Sequence, residues 1–485
     1  MIGFIQLNSK KLHENIHAFF IFGIIIFSCC LIGILGRPLT FLATFWIANA
    51  VLLGIFLRFP NYHNLGGWLG SFIGYMAADL VTGNYVLLTL FLTMANMINV
   101  FVSMLIIRWF HLNFRNYNKG LTFLYLFLIS ALGGCLSGAI FAVSTIPFVP
   151  NTFMNPARIW VDFGMWWTGE ILNIITYLPI VLAIPTKAVL QEYWKNKRQE
   201  NFQFIEILPA IFVLISVILA HFFTGPGSIM FPIAALIWAS LRYNLFFVTI
   251  INLIVVTFLY TSLSTFYASE SSTAYLSTAI SIRIGLVMLA LGPLTLSIIS
   301  MNRQKLYHQI LYLANHDSLT STMNRRFFYE ESERLVNHIS PKNVSESITI
   351  LLLDLDHFKK INDHYGHMTG DYVLQEFTKI VKSNLRETDL FGRLGGEEFA
   401  ILFKNLSLKQ STQIAQRICN SVHQTPIYLE NGEILNISVS IGLSFQTLPY
   451  CVPFQQLINQ ADLALYQAKE NGRNQLCVKH NLGTT

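Results

Sequence analysis

Gly395-Gly396-Glu397-Glu398-Phe399 joins two short runs of β-forming residues, Asp389–Leu394 and Glu398–Phe403. Paired glycines suit the positive φ angles of a tight turn, so the stretch predicts a β-hairpin with carboxylates at its tip. Upstream, Ser347–Asp356 is an almost unbroken apolar run, as expected for a strand that is covered on both faces. Together these strands predict a sheet that ends in acidic side chains.

Helices alternate with strands from about residue 317 onward. Apolar residues recur at helical spacing in Tyr372–Arg386, Lys409–His423 and Phe454–Asn471. Asn431-Gly432 is a second hairpin signal, and it leads into a predicted strand, Leu435–Phe445. Helices packed on a partly antiparallel sheet predict an α+β sandwich of the ferredoxin-like or polymerase-palm kind.

Two acidic pairs meet at one end of this predicted sheet. Side chains alternate along a strand, so Asp354 and Asp356 share a face while Leu355 points away. Glu397 and Glu398 lie at the tip of the adjacent hairpin. Mg²⁺ binds through one or two carboxylates together with substrate phosphates, so the arrangement predicts a site for a divalent cation and a nucleoside triphosphate. The alternative is a solvated acidic turn, which two pairs around a Gly-Gly turn disfavour.

Two cations lie near the end of the last helix. Lys469 and Arg473 either complement the dipole at the helix C-terminus or hold phosphate groups. The sequence contains no Gly-x4-Gly-Lys-Ser/Thr stretch, which excludes a P-loop ATPase.

Composition separates this region from the first 300 residues. Charged residues make up 12% of the chain and most of them lie beyond residue 300, whereas soluble proteins average about 25%. The formal net charge of +6 fits basic loops beside a membrane, and no basic cluster with interleaved aromatics indicates nucleic-acid binding. The 6 cysteines show no metal or disulfide spacing, so we expect free thiols. The first apolar run is too long for a cleavable signal peptide.

The first 301 residues predict an all-α polytopic membrane bundle of about ten helices, since a spanning helix needs about 20 apolar residues. The candidate spans lie near 17–36, 39–59, 65–83, 85–109, 121–147, 163–184, 204–224, 228–241, 245–263 and 276–301. Basic residues concentrate in alternate loops, including 108–119 and 187–198, which predicts that both termini are cytoplasmic. Eight crossings would give the same orientation.

Several polar side chains fall inside these spans. Asn49, Asp79, Glu170 and Arg283 are candidates for a ligand pocket, because ionisable groups in hydrocarbon usually face a cavity or a partner. Either Asp79 or Glu170 is a candidate ion-pair partner for Arg283. The alternative is a set of interhelical hydrogen bonds that only holds the bundle together.

Two patches in this region resemble membrane-associated sensor domains of the first type, MASE1. They are Phe45–Ala50 with Phe59-Pro60, and Trp166–Glu170 with Leu178-Pro179. The resemblance implies a sensor in the membrane, with Glu170 as the acidic residue that the family carries near its second patch.

A connector follows the last span. Leu306, Ile310 and Leu313 recur at helical spacing, so we expect residues 302–316 to form a connecting helix that either dimerises or packs on its own domain. The chain thus divides into a membrane sensor over 1–301, this connector, and a C-terminal domain over 317–485.

The C-terminal part, 317–478, resembles the GGDEF diguanylate cyclases, which join two GTP into cyclic di-GMP. An ordered set of motifs carries this resemblance, which is far more specific than one acidic turn. The matching residues are Asp317–Thr320, Asn324–Arg326, Asp354–Lys359, Ile361–Asp363, Gly366-His367, Gly370-Asp371, Gly392–Phe399 and Ala468–Asn474.

The resemblance implies a role for each matching polar residue. Asp354, the Leu355 carbonyl and Glu397 would hold Mg²⁺, or Mn²⁺ in its place, and Glu398 would support the metal or the charge balance. Each domain would hold one GTP, so the active form would be a homodimer.

Other matching residues would hold the nucleotide. Asn362 and Asp371 would read the guanine edge, and the backbone of Phe358-Lys359 would contact phosphate. Lys469 and Arg473 would hold the β and γ phosphates. Asp371 also has a local explanation as an acid in the first turn of its helix.

A separate stretch, Arg386-Glu387-Thr388-Asp389, matches the family's RxxD inhibitory site, five residues before the glycine pair. Arg417 falls where a second arginine of that site is expected. Arginine side chains suit phosphate and guanine recognition. The resemblance implies inhibition by the product, cyclic di-GMP; the alternative is an exposed ion pair.

One position departs from the family pattern. Leu319-Thr320-Ser321-Thr322 stands where the family has Leu-Thr-Gly-Leu. We expect the missing glycine to alter the turn without abolishing activity, since it lies away from the expected metal ligands.

These observations predict a diguanylate cyclase in the cell inner membrane, in contact with lipid and with the GGDEF domain in the cytoplasm. The alternatives are a catalytically silent GGDEF nucleotide receptor and a membrane signalling protein or transporter. The intact Asp354, Glu397 and Lys469 favour the enzyme, and the first 301 residues show no internal repeat of the kind that transporters carry.

Overall fold

The structure is a computed structural model that describes residues 2–36, 45–113, 120–150, 152–187, 189–191, 204–223, 225, 227–267, 272–337, 347–429, 431–447 and 453–480. It divides into two compact units, Met1–Lys305 and Leu306–Thr485. The start of the second predicted span (39–44) and much of the basic loops 108–119 and 187–198 lie outside the described residues.

All the regular secondary structure in the described residues of the N-terminal unit is helical. A π-helical turn, Ser130–Cys135, separates α5 from α6. The helices are α1 (Ile2–Leu35), α2 (Ile47–Arg58), α3 (Leu65–Val81), α4 (Val86–Trp109), α5 (Thr122–Ile129), α6 (Leu136–Thr145), α7 (Ile159–Ala183), α8 (Leu208–Phe222), α9 (Ile233–Arg242), α10 (Leu245–Tyr267) and α11 (Ser272–Asn315).

Each of the ten predicted spans contains helix. By length and composition, 6 described helical segments can cross a membrane, and Ile47–Arg58, Leu208–Phe222 and Ser228–Arg242 are shorter apolar helices. The helical character of this region is therefore confirmed, whereas ten crossings stay a prediction. The helix α11 continues through the predicted connector and ends at Asn315.

Small residues bring α1 and α3 into close contact. Gly66, Gly70 and Gly74 recur every four residues along one face of α3, and a Cβ at any of them would overlap the backbone of α1. Spacing of this kind lets helix backbones approach closely in a membrane, where packing replaces the hydrophobic effect between helices.

The C-terminal unit places helices on both faces of a mixed sheet, which confirms the predicted α+β class. Its six strands run in the order β1-β3-β4-β2-β7-β8, and β5 and β6 form a separate pair. The strands are β1 (Met323–Asn324), β2 (Ser347–Leu355), β3 (Leu390–Gly395), β4 (Glu398–Lys404), β5 (Ile427–Tyr428), β6 (Ile434–Leu435), β7 (Val439–Thr447) and β8 (Leu476–His480). The helices are α12 (Arg325–Asn337), α13 (Phe358–Tyr365), α14 (His367–Lys382), α15 (Leu408–Gln424) and α16 (Phe454–Glu470).

The strand β2 lies at the centre of this unit, and every residue in it is buried. Leu351 and Leu353 face one core, which α13, α14 and α15 complete. Ile350 and Leu352 face a second core against α12 and α16. Burial on both faces explains the unbroken apolar run, and it leaves the polar end of β2 to carry the site.

Three predicted boundaries are corrected. The helix predicted over Tyr372–Arg386 begins at His367 and ends at Lys382. The strand predicted over Leu435–Phe445 is two strands, because β6 pairs with β5 in a separate sheet whereas β7 pairs with β2. In the hairpin, Gly395 pairs with Glu398, so the turn is Gly396-Glu397 rather than the two glycines.

Candidate active site

Asp354 occupies the polar end of β2. It lies directly opposite Glu398 of β4 and Ser440 of β7 in the sheet register. Opposed residues of antiparallel strands share a face, so the Asp354 and Glu398 side chains lie on the side of the sheet that α16 covers. Asp354 is 7% exposed, whereas Glu398 is exposed.

The hairpin tip reaches the end of β2 through the backbone. The Leu355 amide donates to the Glu397 carbonyl at 3.4 Å, beyond the last regular pairing of the two strands. Glu397 is therefore held beside Asp354 and Leu355 by the sheet itself. The three groups predicted as metal ligands come from two neighbouring strand ends.

A cation already contacts Asp354. The Lys469 ammonium lies 2.8 Å from Asp354 Oδ2, near the C-terminal end of α16. Burial raises the pKa of the Asp354 carboxyl, and Asp356 adds to the rise, while Lys469 and Arg473 oppose it. Among the described residues, no group of three or more His, Cys, Asp or Glu side chains stands ready to hold a metal.

Asp356 shares a face with Asp354 but has a different environment. Its Oδ1 accepts from the Ser440 hydroxyl at 2.7 Å. Its Oδ2 accepts from the Ser438 hydroxyl at 2.7 Å and from the backbone amide of Asn474 at 3.0 Å. It is 6% exposed. Asp356 belongs to the predicted acidic pair with Asp354, but its partners lie far away in the chain and no sequence pattern indicates them.

The turn after α16 is left-handed over three residues. Gly472, Arg473 and Asn474 have φ angles of +107°, +64° and +46°. The Arg473 amide donates to the Ala468 carbonyl at 3.0 Å, which closes the helix end. This turn sets Arg473, which is exposed, one turn beyond Lys469.

The helix α13 starts directly after the acidic end of β2. His357 at its N-cap is left-handed with a φ of +58°, so the chain turns sharply into the helix. The first amides of a helix have no partner within it, which makes Phe358-Lys359 suited to bind an anion.

The guanine-reading residues predicted from the sequence lie on adjoining helices. A Cβ at Gly370 of α14 would overlap the side-chain amide of Asn362 of α13. Asn362 is thus packed against Gly370, the residue before Asp371. The side chain of Asp371 is exposed. The absence of a side chain at position 370 leaves room for this arrangement.

Two family descriptions match the chain. Residues 15–305 match MASE1, and residues 314–475 match "Diguanylate cyclase, GGDEF domain". The chain belongs to the MASE1 family and carries a GGDEF domain. The helical unit and the mixed sheet described above correspond to these two parts, and the chain is a membrane protein of the GGDEF diguanylate cyclase family.

Similar proteins include relatives over both parts. The chain is 28% identical over 445 residues to "Probable diguanylate cyclase DgcF" of Escherichia coli O157:H7, covering 89% of this chain and 88% of that protein. It is 40% identical over 173 residues to "Response regulator PleD" of Caulobacter vibrioides, covering 36% of this chain and 37% of that protein. A solved GGDEF domain of DgcB from Caulobacter crescentus, in complex with c-di-GMP, is 29% identical with a TM-score of 0.32, covering 34% of this chain and 95% of that one.

The RxxD residues of the GGDEF domain lie on the turn after α14. The Asp389 carboxylate accepts from the Arg386 amide at 2.8 Å, and burial raises the pKa of Asp389. Arg417 of α15 donates from Nε and from a terminal nitrogen to Asn384, at 2.9 Å in each case. Arg417 therefore contacts Asn384, which lies two residues before Arg386 in the chain.

Another contact of the GGDEF domain joins its entry to the hairpin. Arg393 donates to Asp317 Oδ1 at 3.0 Å and, through Nε, to the Gly396 carbonyl at 2.9 Å. Although burial raises the pKa of Asp317, hydrogen bonds from Thr320 and the nearby Arg393 bring it below its usual value. The matching motifs contained both residues, but their spacing did not reveal this ion pair.

Four residues of the MASE1 part were predicted as a pocket, and the structure brings two of them together. The Asn49 amide donates to Glu170 Oε2 at 2.8 Å, and the Asn99 amide donates to the same oxygen at 2.9 Å. Asn49 also donates to Asn96 Oδ1 at 2.8 Å. These buried groups join α2, α4 and α7.

The other two have different partners. Asp79 accepts from the Asn84 amide at 3.1 Å near the end of α3. Arg283 donates to the Tyr260 hydroxyl at 2.9 and 3.1 Å, and to the Met165 carbonyl. Among the described ion pairs, none joins Arg283 to Glu170 or Asp79.

Proposed function

We propose that the protein is a membrane-bound diguanylate cyclase that condenses two GTP into cyclic di-GMP and pyrophosphate. One observation carries the proposal. A buried carboxylate, Asp354, ends the central strand beside the tip of the Glu397-Glu398 hairpin and is already paired with a cation, Lys469. Because the Lys469 ammonium lies 2.8 Å from the Asp354 carboxylate, the end of β2 has room for a cation.

The donor set suits a hard divalent cation. Carboxylate oxygens of Asp354 and Glu397, with the Leu355 carbonyl, are the ligand types that Mg²⁺ prefers, and Mn²⁺ accepts the same oxygens. Fewer than three acidic side chains are sufficient because substrate phosphates supply further oxygens. When bound, the metal lowers the pKa of the attacking hydroxyl and offsets charge on the phosphate.

The residues of this chain bind and orient the nucleotide. We infer that the Asp371 carboxylate accepts hydrogen bonds from the guanine edge and that the Asn362 side chain also hydrogen-bonds to it. The first backbone amides of α13, at Phe358-Lys359, contact phosphate. Lys469 and Arg473 hold the β and γ phosphates, so Lys469 exchanges the Asp354 carboxylate for a phosphate oxygen. Positioning and charge stabilisation account for most catalysis of phosphoryl transfer.

In the proposed reaction, the 3′-hydroxyl of each GTP loses its proton to solvent and attacks the α-phosphorus of the other. At each α-phosphorus the P–O bond to the β-phosphate breaks, so two pyrophosphates leave for each cyclic di-GMP formed. Glu398, exposed at the hairpin tip opposite Asp354, supports the metal or the charge balance. Each GGDEF domain holds one GTP, so two domains must face each other, and the active species is a homodimer.

Regulation is proposed at two places. Arg386, Asp389 and Arg417 would bind cyclic di-GMP and inhibit turnover, supported by the contact that holds Arg417 beside the RxxD turn. The MASE1 domain would sense a signal in the cell inner membrane, with lipid around it and the GGDEF domain in the cytoplasm. The buried Asn49 and Glu170 are the proposed centre of that sensor.

The test is the full chain in lipid nanodiscs with GTP and Mg²⁺, assayed for cyclic di-GMP and pyrophosphate. We expect both products, and we expect Glu397→Ala to remove activity while leaving the unfolding temperature unchanged. A demonstrably dimeric sample that binds GTP but forms no cyclic di-GMP would identify a nucleotide receptor instead. Normal turnover by Glu397→Ala would overturn the metal assignment.

A further inference from the structure

Asp356 is held by three protein donors. Both of its oxygens are engaged, Oδ1 by Ser440 and Oδ2 by Ser438 and the Asn474 amide, at 2.7 to 3.0 Å. Its own amide also donates to the Ser438 carbonyl at 3.0 Å. A carboxylate with three short donors and 6% exposure is fixed in place, in contrast with Asp354, which shares its face and has the Lys469 ammonium as its partner.

Asp356 accepts from the backbone amide of Asn474, in a turn whose φ angles are unfavourable for residues with a Cβ. Most residues other than glycine disfavour the left-handed region, and asparagine tolerates it better than arginine, yet Arg473 and Asn474 adopt it in succession, with φ angles of +64° and +46°. The turn starts at the Ala468 carbonyl, which the Arg473 amide contacts at 3.0 Å. Its far end joins the sheet, where the Ile441 amide donates to the Gln475 carbonyl at 3.0 Å.

Asp356 anchors the middle of this turn, next to Arg473. We propose that Asp356 is a positioning residue for the triphosphate: by holding the Asn474 amide, it keeps Arg473 where its guanidinium meets the terminal phosphates. The inference rests on the proposed binding of GTP by Lys469 and Arg473. It assigns the second aspartate of the strand to the geometry of the phosphate clamp and not to the metal.

A clamp for terminal phosphates has a distinctive binding signature. Loss of the Asp356 anchor weakens contacts to the β and γ phosphates but leaves the guanine contacts of Asn362 and Asp371 untouched. A general loss of structure would weaken binding of every guanine nucleotide together. The comparison of a triphosphate with a monophosphate therefore separates positioning from folding.

The experiment measures equilibrium binding to the full chain in nanodiscs with Mg²⁺. The ligands are 3′-deoxy-GTP, which lacks the hydroxyl needed for condensation, and GMP. We expect Asp356→Asn to weaken binding of 3′-deoxy-GTP about ten- to hundred-fold, as for loss of a charged hydrogen-bond partner, and to leave GMP binding unchanged. The matched control is Ser444→Ala. Ser444 lies on β7, as does Ser440, but its hydroxyl donates to Gln460 at 3.0 Å and not to Asp356. This variant should change neither affinity.

A second variant keeps the test decisive where Asp356→Asn folds poorly. Ser438→Ala removes one donor to Asp356 Oδ2 and leaves the Asn474 contact, so we expect a smaller loss that is again confined to the triphosphate. Adding Asn474→Gly to Asp356→Asn should restore part of the lost affinity, because glycine adopts the left-handed turn without an anchor.

The outcomes are separable from those of the proposed function. Equal weakening of both ligands, or no weakening of 3′-deoxy-GTP by Asp356→Asn, overturns the positioning role. Wild-type binding of 3′-deoxy-GTP no tighter than GMP also overturns it, since no phosphate clamp then exists. A chain that shows the phosphate-specific loss but makes no cyclic di-GMP refutes the cyclase and leaves the role of Asp356 standing.

Discussion

Replacing Ser321 with glycine should stabilise the GGDEF domain. Ser321 has a φ of +53°, in the left-handed region, and stands where the family has glycine. Its side chain is exposed, and its two recorded hydrogen bonds use the backbone alone. The amide donates to the Asp317 carbonyl at 2.9 Å, and its carbonyl accepts from the Lys382 ammonium at 3.1 Å. Ser321→Gly retains both contacts.

The magnitude follows from two opposing effects. A residue with a Cβ costs roughly 1–2 kcal/mol in the left-handed region. Glycine gives the unfolded chain more freedom, which offsets about 0.4–1 kcal/mol of the gain. The net increase in the free energy of unfolding should be about 0.5–1 kcal/mol, which corresponds to a rise of about 1–4 °C in Tm for a domain of this size.

Urea unfolding of residues 306–485 measures this difference, since that unit has cores of its own. The matched control is Ser383→Gly, because Ser383 at the end of α14 has a φ of −64° and should lose stability on the same change. Asn405→Gly, at a φ of +59°, should gain less than Ser321→Gly, since asparagine tolerates this region. A neutral or destabilising Ser321→Gly would refute the assigned strain.

Three further substitutions test the site and its surroundings. Gly370→Ala places a methyl group on the Asn362 amide, so calorimetry should show weaker GTP binding; unchanged affinity would contradict the guanine-reading role. Arg417→Ala should leave the initial rate intact and raise the cyclic di-GMP concentration needed for half inhibition, and an unaltered inhibition curve would count against the inhibitory site. Asp317→Asn removes the ion pair with Arg393. The pKa of Asp317 is lowered on folding. Its ionised carboxylate therefore adds to the free energy of unfolding at pH values above the ordinary pKa of 3.8, and this contribution is lost as the pH falls through the pKa of the folded state. The stability difference from wild type should therefore shrink in acid, and a difference that grew would contradict this.

Local patterns in the sequence predicted most of the fold of the C-terminal unit. The apolar run that became β2 and the glycine-marked hairpin depend on burial and turn geometry, which neighbouring residues specify. The pattern misplaced the strand after Asn431-Gly432. Alternation continues through 435–445, and Ile437 lies in the same core as Val439 and Ile441, but the backbone of Ile434-Leu435 pairs with β5 in a separate sheet, a partner that the alternation does not reveal.

The approach of the two acidic strand ends was predictable from local patterns. Asp354 lies opposite Glu398, the neighbour of Glu397, because the register of β2 and β4 follows from their apolar faces. The partners of Asp356 were not predictable in this way. Asn474 comes from a turn after α16, and a face shared with Asp354 says nothing about which donors fill that face.

The contact between Lys469 and Asp354 connects these observations. A largely buried carboxylate is costly without a cation, and Lys469 supplies one at 2.8 Å. The same ammonium is the proposed ligand of a terminal phosphate, so binding of the nucleotide with its metal exchanges one set of ion pairs for another and leaves no charge unpaired. Among the residues that the structure describes, Asp356 has no such cation, because Ser438, Ser440 and Asn474 donate hydrogen bonds to its two oxygens. We therefore propose different roles for two aspartates that are separated by one residue: Asp354 changes its cation during binding, and Asp356 holds the turn that receives the phosphates.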